Sequence, residues 1–138
     1  VAANTIKPDL AIAVDVGIAY DTPGMSGQTS DSKLGGGPVV IMMDATSIAH
    51  QGLRKHIKGV AKKHNIEVQW DTTPGGGTDA GSIHVANEGI PTMTIGVTLR
   101  YMHSNVSVLN IDDYTNSVRL ITEIVRSLND DSYQALMW

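Results

Sequence analysis

The chain has no cysteine, which excludes disulfides and thiolate metal sites and leaves every cellular compartment open. Positive charge is scarce: with a net charge of -4, the basic patch that a nucleic-acid partner calls for is not expected. No apolar run approaches the roughly 20 residues of a membrane span. The first residues, Val1-Ala2-Ala3-Asn4-Thr5, lack a basic segment followed by an apolar one, so no signal peptide is expected there. An initiator methionine is missing too, as in a processed or excised piece. There are only three glutamates (Glu67, Glu88 and Glu123), and just two tryptophans and four tyrosines to stack on a sugar. Internal repeats and low-complexity tracts are absent.

What is present reads as globular. A hydrophobic fraction of 41% and a charged fraction of 17% exclude disorder. A chain of 138 residues is one domain, or a piece of a larger one, and can bury about two-thirds of its unfolded surface. Apolar runs at Leu10–Val16 and Val39–Met43 read as buried strands, and Ile66–Trp70 and Thr92–Val97 as further ones, with a short extension at Val106–Leu109. Residues 21–37, rich in Gly, Ser, Thr and Asp, read as a long surface loop.

Between the strands lie helices. Asp44 or Thr46 is expected to cap a helix with Leu53, Ile57, Val60 and Ala61 inward, opposite Arg54, Lys55, Lys58, Lys62 and Lys63. Thr78 to Asn87 forms a short helix. Asn110 caps the last one, whose inward face is expected to carry Tyr114, Val118, Ile121, Val125 and Leu128. This alternation predicts an α/β layered fold, a largely parallel or mixed sheet flanked by helices.

The most informative segment is Pro74-Gly75-Gly76-Gly77-Thr78-Asp79-Ala80-Gly81-Ser82-Ile83-His84. Its glycines let the backbone turn sharply and approach a ligand, and Thr78 and Asp79 stand where a helix begins. The phosphate-cradle alternative lacks both the lysine and the spacing of a P-loop. A tight turn before a capped helix is an equally good reading of Thr78 and Asp79. Downstream, Arg100-Tyr101-Met102-His103-Ser104 ends an apolar strand with an imidazole that can ligate a metal. Upstream, Asp15 sits inside Ala11-Ile12-Ala13-Val14-Asp15-Val16-Gly17, where a carboxylate is costly unless paired, hydrogen-bonded or bound to a cation. On the residues alone, a strand-end aspartate bonded to a loop is the commoner case, and His103 is a surface histidine.

These segments, with Asp21-Thr22-Pro23-Gly24, Lys33-Leu34-Gly35 and Asp112-Asp113-Tyr114, resemble the glutamyl/tetrahedral aminopeptidase family. The likeness runs from about Ile6 to Leu128 and would align the chain with the C-terminal part of a longer member. The resemblance implies a zinc-exopeptidase-like catalytic fold, with residues 1–129 forming its C-terminal part. Residues 130–138 have no counterpart in the family and read as a short tail or a helical extension, whose Met137 and Trp138 offer apolar side chains to dock on a neighbour. The resemblance further implies cytoplasmic two-metal hydrolysis of N-terminal residues from peptides, with two zinc ions (or cobalt or manganese) and homo-oligomers built from dimers. Of the family's five metal ligands, Asp15 matches the second aspartate and His103 the late histidine. The other three, and the Glu-Glu pair that supplies the general base, have no counterpart among Glu67, Glu88 and Glu123. The glycine loop, through Gly76, Gly77, Thr78 and Asp79, would border the substrate cleft.

The remaining histidines are weighed against His103. His56 and His64 belong to a lysine-rich helix and read as solvated; His50 reads as packed or bonded near that helix's start, and His84 as bonded to a neighbouring backbone group. Asp21 and Arg100 read as positioning a loop or a subunit contact. Two functions remain: the C-terminal portion of an aminopeptidase, inactive by itself, or a non-catalytic fragment or oligomerisation module. An endoglucanase ranks third, because the carboxylate pair of a glycosidase is missing.

Overall fold

The structure, a computed structural model, describes residues 1–25 and 30–137. Five strands, β1 (Ala11–Ile18), β2 (Val39–Asp44), β3 (Gln69–Thr73), β4 (Thr92–Arg100) and β5 (Val108–Leu109), form one sheet. Its order is β1-β4-β2-β3, with β5 added to the end of β4. β1 runs parallel to β4 and β2 parallel to β3, but β2 and β4 are antiparallel, so the sheet is mixed. The helices are α1 (Ala2–Ile6), α2 (Gln51–Lys63), α3 (Ala80–Ile83), α4 (Ile111–Ser127) and α5 (Asp130–Leu136).

The two-residue period of the strands sorts the sheet into two unlike faces. One face sends Ile12, Val40, Trp70, Met93 and Ile95 into the core, against Leu53, Ile57, Val60 and Ala61 of α2, Leu120 and Ile124 of α4, and Leu136 of α5. The other carries Ala13, Asp15 and Gly17, then Thr94, Gly96 and Thr98, then Val39 and Ile41, then Gln69 and Asp71, placed side by side by the strand register. Small and polar residues there leave room above the sheet, and the candidate site lies on that side.

Several expectations are corrected. The cap of α2 is His50, whose Nδ1 accepts from the Leu53 N–H at 3.4 Å; Asp44 is the last residue of β2 and Thr46 lies in the bend after it. On α4 the buried face is Asp113, Ser117, Leu120 and Ile124; of the expected residues Ile121 and Leu128 pack against the core, whereas Tyr114, Val118 and Val125 are half or more exposed. The reason is polar satisfaction. Asp113 accepts from the N–H groups of Gly35 and Gly37, both at 2.8 Å, and the Ser117 hydroxyl lies 3.1 Å from the Gly96 carbonyl it donates to. These bonds rotate the helix away from the face that hydrophobicity alone selects. The last segment is a helical extension rather than a loose tail: α5 has an Asn129–Ser132 capping box and buries Leu136. Trp138 lies outside the described residues, as do residues 26–29 of the long loop.

Asn110 caps α4 as expected, accepting from the Asp112 and Asp113 N–H groups. No described helix is long and apolar enough to cross a membrane.

Candidate active site

A cleft of about 140 Å³ opens over the polar face of the sheet. Asp15, Val16 and Gly17 of β1 form one wall, and Gly76, Gly77 and Thr78 of the glycine loop another; His103, Met102, Ile41, Asp44 and Thr73 complete it. Asp15, His103, Gly76, Gly77 and Thr78, singled out separately in the sequence, therefore meet at one place. Asp79 does not join them. It faces a second, apolar cleft between α1 and α3, beside Val1, Ala2, Ile6 and Ile83, and makes no cap hydrogen bond.

Asp15 is exposed rather than buried, so the cost of a buried carboxylate does not arise. It lies on β1, which pairs only with β4 among the described residues, and its Oδ1 accepts from the Val16 N–H at 2.8 Å. The carboxylate thereby answers an edge N–H that no strand among the described residues takes up.

His103 lies beyond the strand end, in the turn that follows β4. Tyr101 and His103 both have left-handed backbones, with φ of 60° and 62°. Non-glycine residues in that region cost of order 1–3 kcal/mol each and persist where the surroundings hold them. Here the Ser104 hydroxyl is 2.6 Å from both the Tyr101 and Val106 carbonyls, and the Ser107 hydroxyl donates to Tyr101 as well. The short polar side chains around His103 thus tie the turn that aims the imidazole.

Loops around the cleft are strapped. Arg100 makes a bidentate ion pair with Asp21 (2.8 Å for each bond), and Asp21 also accepts from the Leu34 N–H. Gln69 reaches from β3 to the Lys33 N–H, the Lys33 and Gly37 carbonyls and the Thr98 hydroxyl. Asp71, wholly buried on the same sheet face, accepts from Thr73 through one oxygen; the other meets no protein donor among the described residues. Sequence reading missed Asp44, which is buried and accepts five hydrogen bonds at the cleft. A lone acid closing the apolar run Val39–Met43 was the available signal.

The other histidines have structural employment. His56 is half-buried against Ser127 at 2.8 Å, not solvated, and His64 pairs with Glu123 at 3.6 Å. The His84 ring lies 3.0 Å from the Ala80 carbonyl. Burial pushes the His56 pKa down. The Arg100 guanidinium holds Asp21 below its ordinary value, whereas burial pushes Asp44 up and is outweighed by hydrogen bonds from Thr46, Thr78 and Ser47 that hold it below. In all three cases the folded pKa is depressed, so each contribution to stability is present above the unfolded pKa and is lost as pH falls through the folded one. Urea midpoints are therefore expected to fall on acidification, first below about 6.5 through His56, then below about 3.8 through the two carboxylates. His56→Gln should remove the first step. Midpoints that rise between pH 7 and 5 would contradict the assignment.

The sequence profile of the M42 glutamyl aminopeptidases matches residues 1–120. The chain belongs to this family. It is 35% identical over 131 residues to the glutamyl aminopeptidase of Lactococcus lactis, covering 95% of this chain, and 34% identical over 129 residues to the lysyl aminopeptidase of Pyrococcus furiosus, covering 93%. It spans 36% of the length of each of these relatives. Among solved structures, a TET aminopeptidase from a marine sediment Thaumarchaeota archaeon superposes with a TM-score of 0.94 at 34% identity, over 98% of this chain and 38% of that one. The Pyrococcus horikoshii TET1 peptidase, which assembles into a tetrahedron or a large octahedral shell, gives 0.80 at 32% identity, over 92% of this chain and 36% of that one. This M42 chain thus spans little more than a third of these relatives, and its mixed sheet with flanking helices matches that share of the family's fold.

Proposed function

We propose that this M42 chain is the C-terminal portion of a cytoplasmic two-metal aminopeptidase, supplying Asp15 and His103 as metal ligands and the Gly76–Thr78 loop to peptide binding. The observation that carries the reading is their meeting in one cleft. A carboxylate and an imidazole, both exposed, suit zinc, with cobalt or manganese as alternatives. The described residues contain no group of three or more His, Asp or Glu placed to hold a metal, so the remaining ligands belong to polypeptide outside them. When bound, a pair of divalent metals supplies a water of lowered pKa and a Lewis acid for the scissile carbonyl.

This chain's own residues do the rest of the positioning. Asp15 and His103 both line the cleft, and each offers a side chain able to ligate a metal. The glycine loop lines the same cleft, and a backbone N–H of Gly76 or Gly77 donated to a peptide carbonyl would stabilise developing negative charge. The general base, a glutamate in the family pattern, comes from outside this chain. The exposed apolar residues of α4 favour a second reading, an association module without catalysis. The two readings separate on activity. A longer polypeptide or second chain carrying these residues should hydrolyse leucyl- or glutamyl-p-nitroanilide and lose turnover on His103→Ala, and a fully assembled but inert protein would leave the association module.

Metal binding gives a direct test on the chain itself. Two protein ligands leave most of a coordination sphere to water, so calorimetry is expected to show weak zinc binding, readily stripped by a chelator. Asp15→Asn and His103→Ala should each abolish it, and His56→Ala should not. Submicromolar zinc affinity would overturn this assignment.

A further inference from the structure

The glycine loop is clamped from beneath by the turn that leaves β2. Asp44 Oδ1 accepts from the Thr46 N–H (2.7 Å), the Thr46 hydroxyl (2.8 Å) and the Ser47 N–H (2.8 Å). Its Oδ2 accepts from the Thr78 N–H at 3.2 Å and the Thr78 hydroxyl at 3.0 Å, and that hydroxyl also meets Thr94 at 2.8 Å. The Ala45 N–H donates to the Gly76 carbonyl at 2.7 Å. Thr46 fits a notch that only glycine leaves open: a Cβ at Gly77 would come within 2.8 Å of the Thr46 methyl, and one at Gly81 would collide with its hydroxyl. One carboxylate, 6% exposed, thus ties two segments of chain together at the cleft.

We propose that Asp44 is a positioning residue: through Thr78 it fixes the Gly76–Thr78 backbone on the rim of the Asp15–His103 cleft, so that a peptide meets donors already in place. The inference deepens the aminopeptidase reading and rests on it for the identity of the ligand. Preordered donors are worth more than mobile ones because no ordering cost falls at the moment of binding. The loop itself is short of other anchors, since Pro74 and Gly75 are exposed and three successive glycines give the backbone wide freedom.

The variant Asp44→Asn separates the two halves of the clamp. An amide has one acceptor oxygen, which the three donors of Thr46 and Ser47 should claim; its NH2 can then donate to the Thr78 hydroxyl but faces the Thr78 N–H, which loses its acceptor. In the 138-residue chain, amide exchange at Ala45 and Thr78 is expected to accelerate at least tenfold, and the order parameters of Gly76 and Gly77 to fall from about 0.85 toward 0.6. Met93, Ile95 and Leu120 in the core should stay within about twofold of the parent. Thr78→Val should reproduce the loop effect without touching Asp44, and Thr78→Ser, which keeps the hydroxyl, should retain parental protection. Unchanged loop exchange in Asp44→Asn, a core that loosens in step with the loop, or failure of Thr78→Ser to retain protection would each overturn the proposal. None of these readouts needs turnover. A chain that shows the clamp but forms no peptidase when completed sinks the functional reading and leaves the clamp standing.

Discussion

Incubated alone with leucyl- or glutamyl-p-nitroanilide and excess zinc, cobalt or manganese, the 138-residue chain is expected to give no turnover above background. A positioned general base contributes typically 10²–10⁴-fold, and the metal centre that activates the water needs more ligands than two. The chain offers no substitute for either. Glu67 and Glu88 are exposed on the approaches to β3 and β4, and Glu123 on α4 is engaged by Arg126 at 2.8 Å and His64 at 3.6 Å. None of the three lines the cleft with Asp15 and His103. The expected loss is therefore that of nearly all the rate enhancement, not a fraction of it. Clear turnover by a chain of verified mass, abolished by His103→Ala and by chelation, would overturn this expectation. Restoration of turnover on mixing with a polypeptide that carries a glutamate pair would support it.

What the sequence disclosed and what it hid divide along physical lines. The strands were readable because their apolar runs are continuous: Val39–Met43 became β2 with one residue added, and Thr92–Val97 the first two-thirds of β4. The inward stripe of α2 was readable because Leu53, Ile57, Val60 and Ala61 have no polar competitor. On α4 the same reasoning placed Ile121 and Leu128 rightly against the core but Tyr114, Val118 and Val125 wrongly, since Asp113 and Ser117 go inward to satisfy backbone groups of a loop and a strand distant in sequence. Hydrophobic periodicity carries no information about such partners. Asp44 was hidden for the same reason. As a letter it is a plausible cap, and only the fold brings Thr78 beneath it across 34 positions of chain. The cleft residues were found together through resemblance to a family, because nothing in local pattern links Asp15 to His103. Asp15 also shows the limit of a burial argument from sequence: an apolar run at an unpaired edge leaves its middle open to solvent.

That open edge underlies the second large effect: the isolated chain is expected to be a dimer or larger, or to bind a hydrophobic dye strongly. β1 has no partner on its outer side among the described residues, and Val14 at its middle is 68% exposed. An unpaired strand with an apolar residue facing out is a template for further pairing. A second surface acts in the same direction. On α4, Ile111, Tyr114, Val118 and Val125 recur at helical spacing and are 67%, 51%, 50% and 60% exposed, flanking Ile121, which packs on the core. Isolated exposed apolar residues are ordinary, but contiguous ones are usually covered by association. Light scattering over a hundredfold dilution should show mass above that of one chain. Val118→Lys with Val125→Lys should lower that mass without altering the far-ultraviolet dichroism, since neither side chain enters the core. If the mass persists in that variant and falls when Val14 is replaced by lysine, the β1 edge is the interface. A compact monomer, stable to dilution and silent to dye, would overturn the expectation and show these surfaces to be tolerable in water.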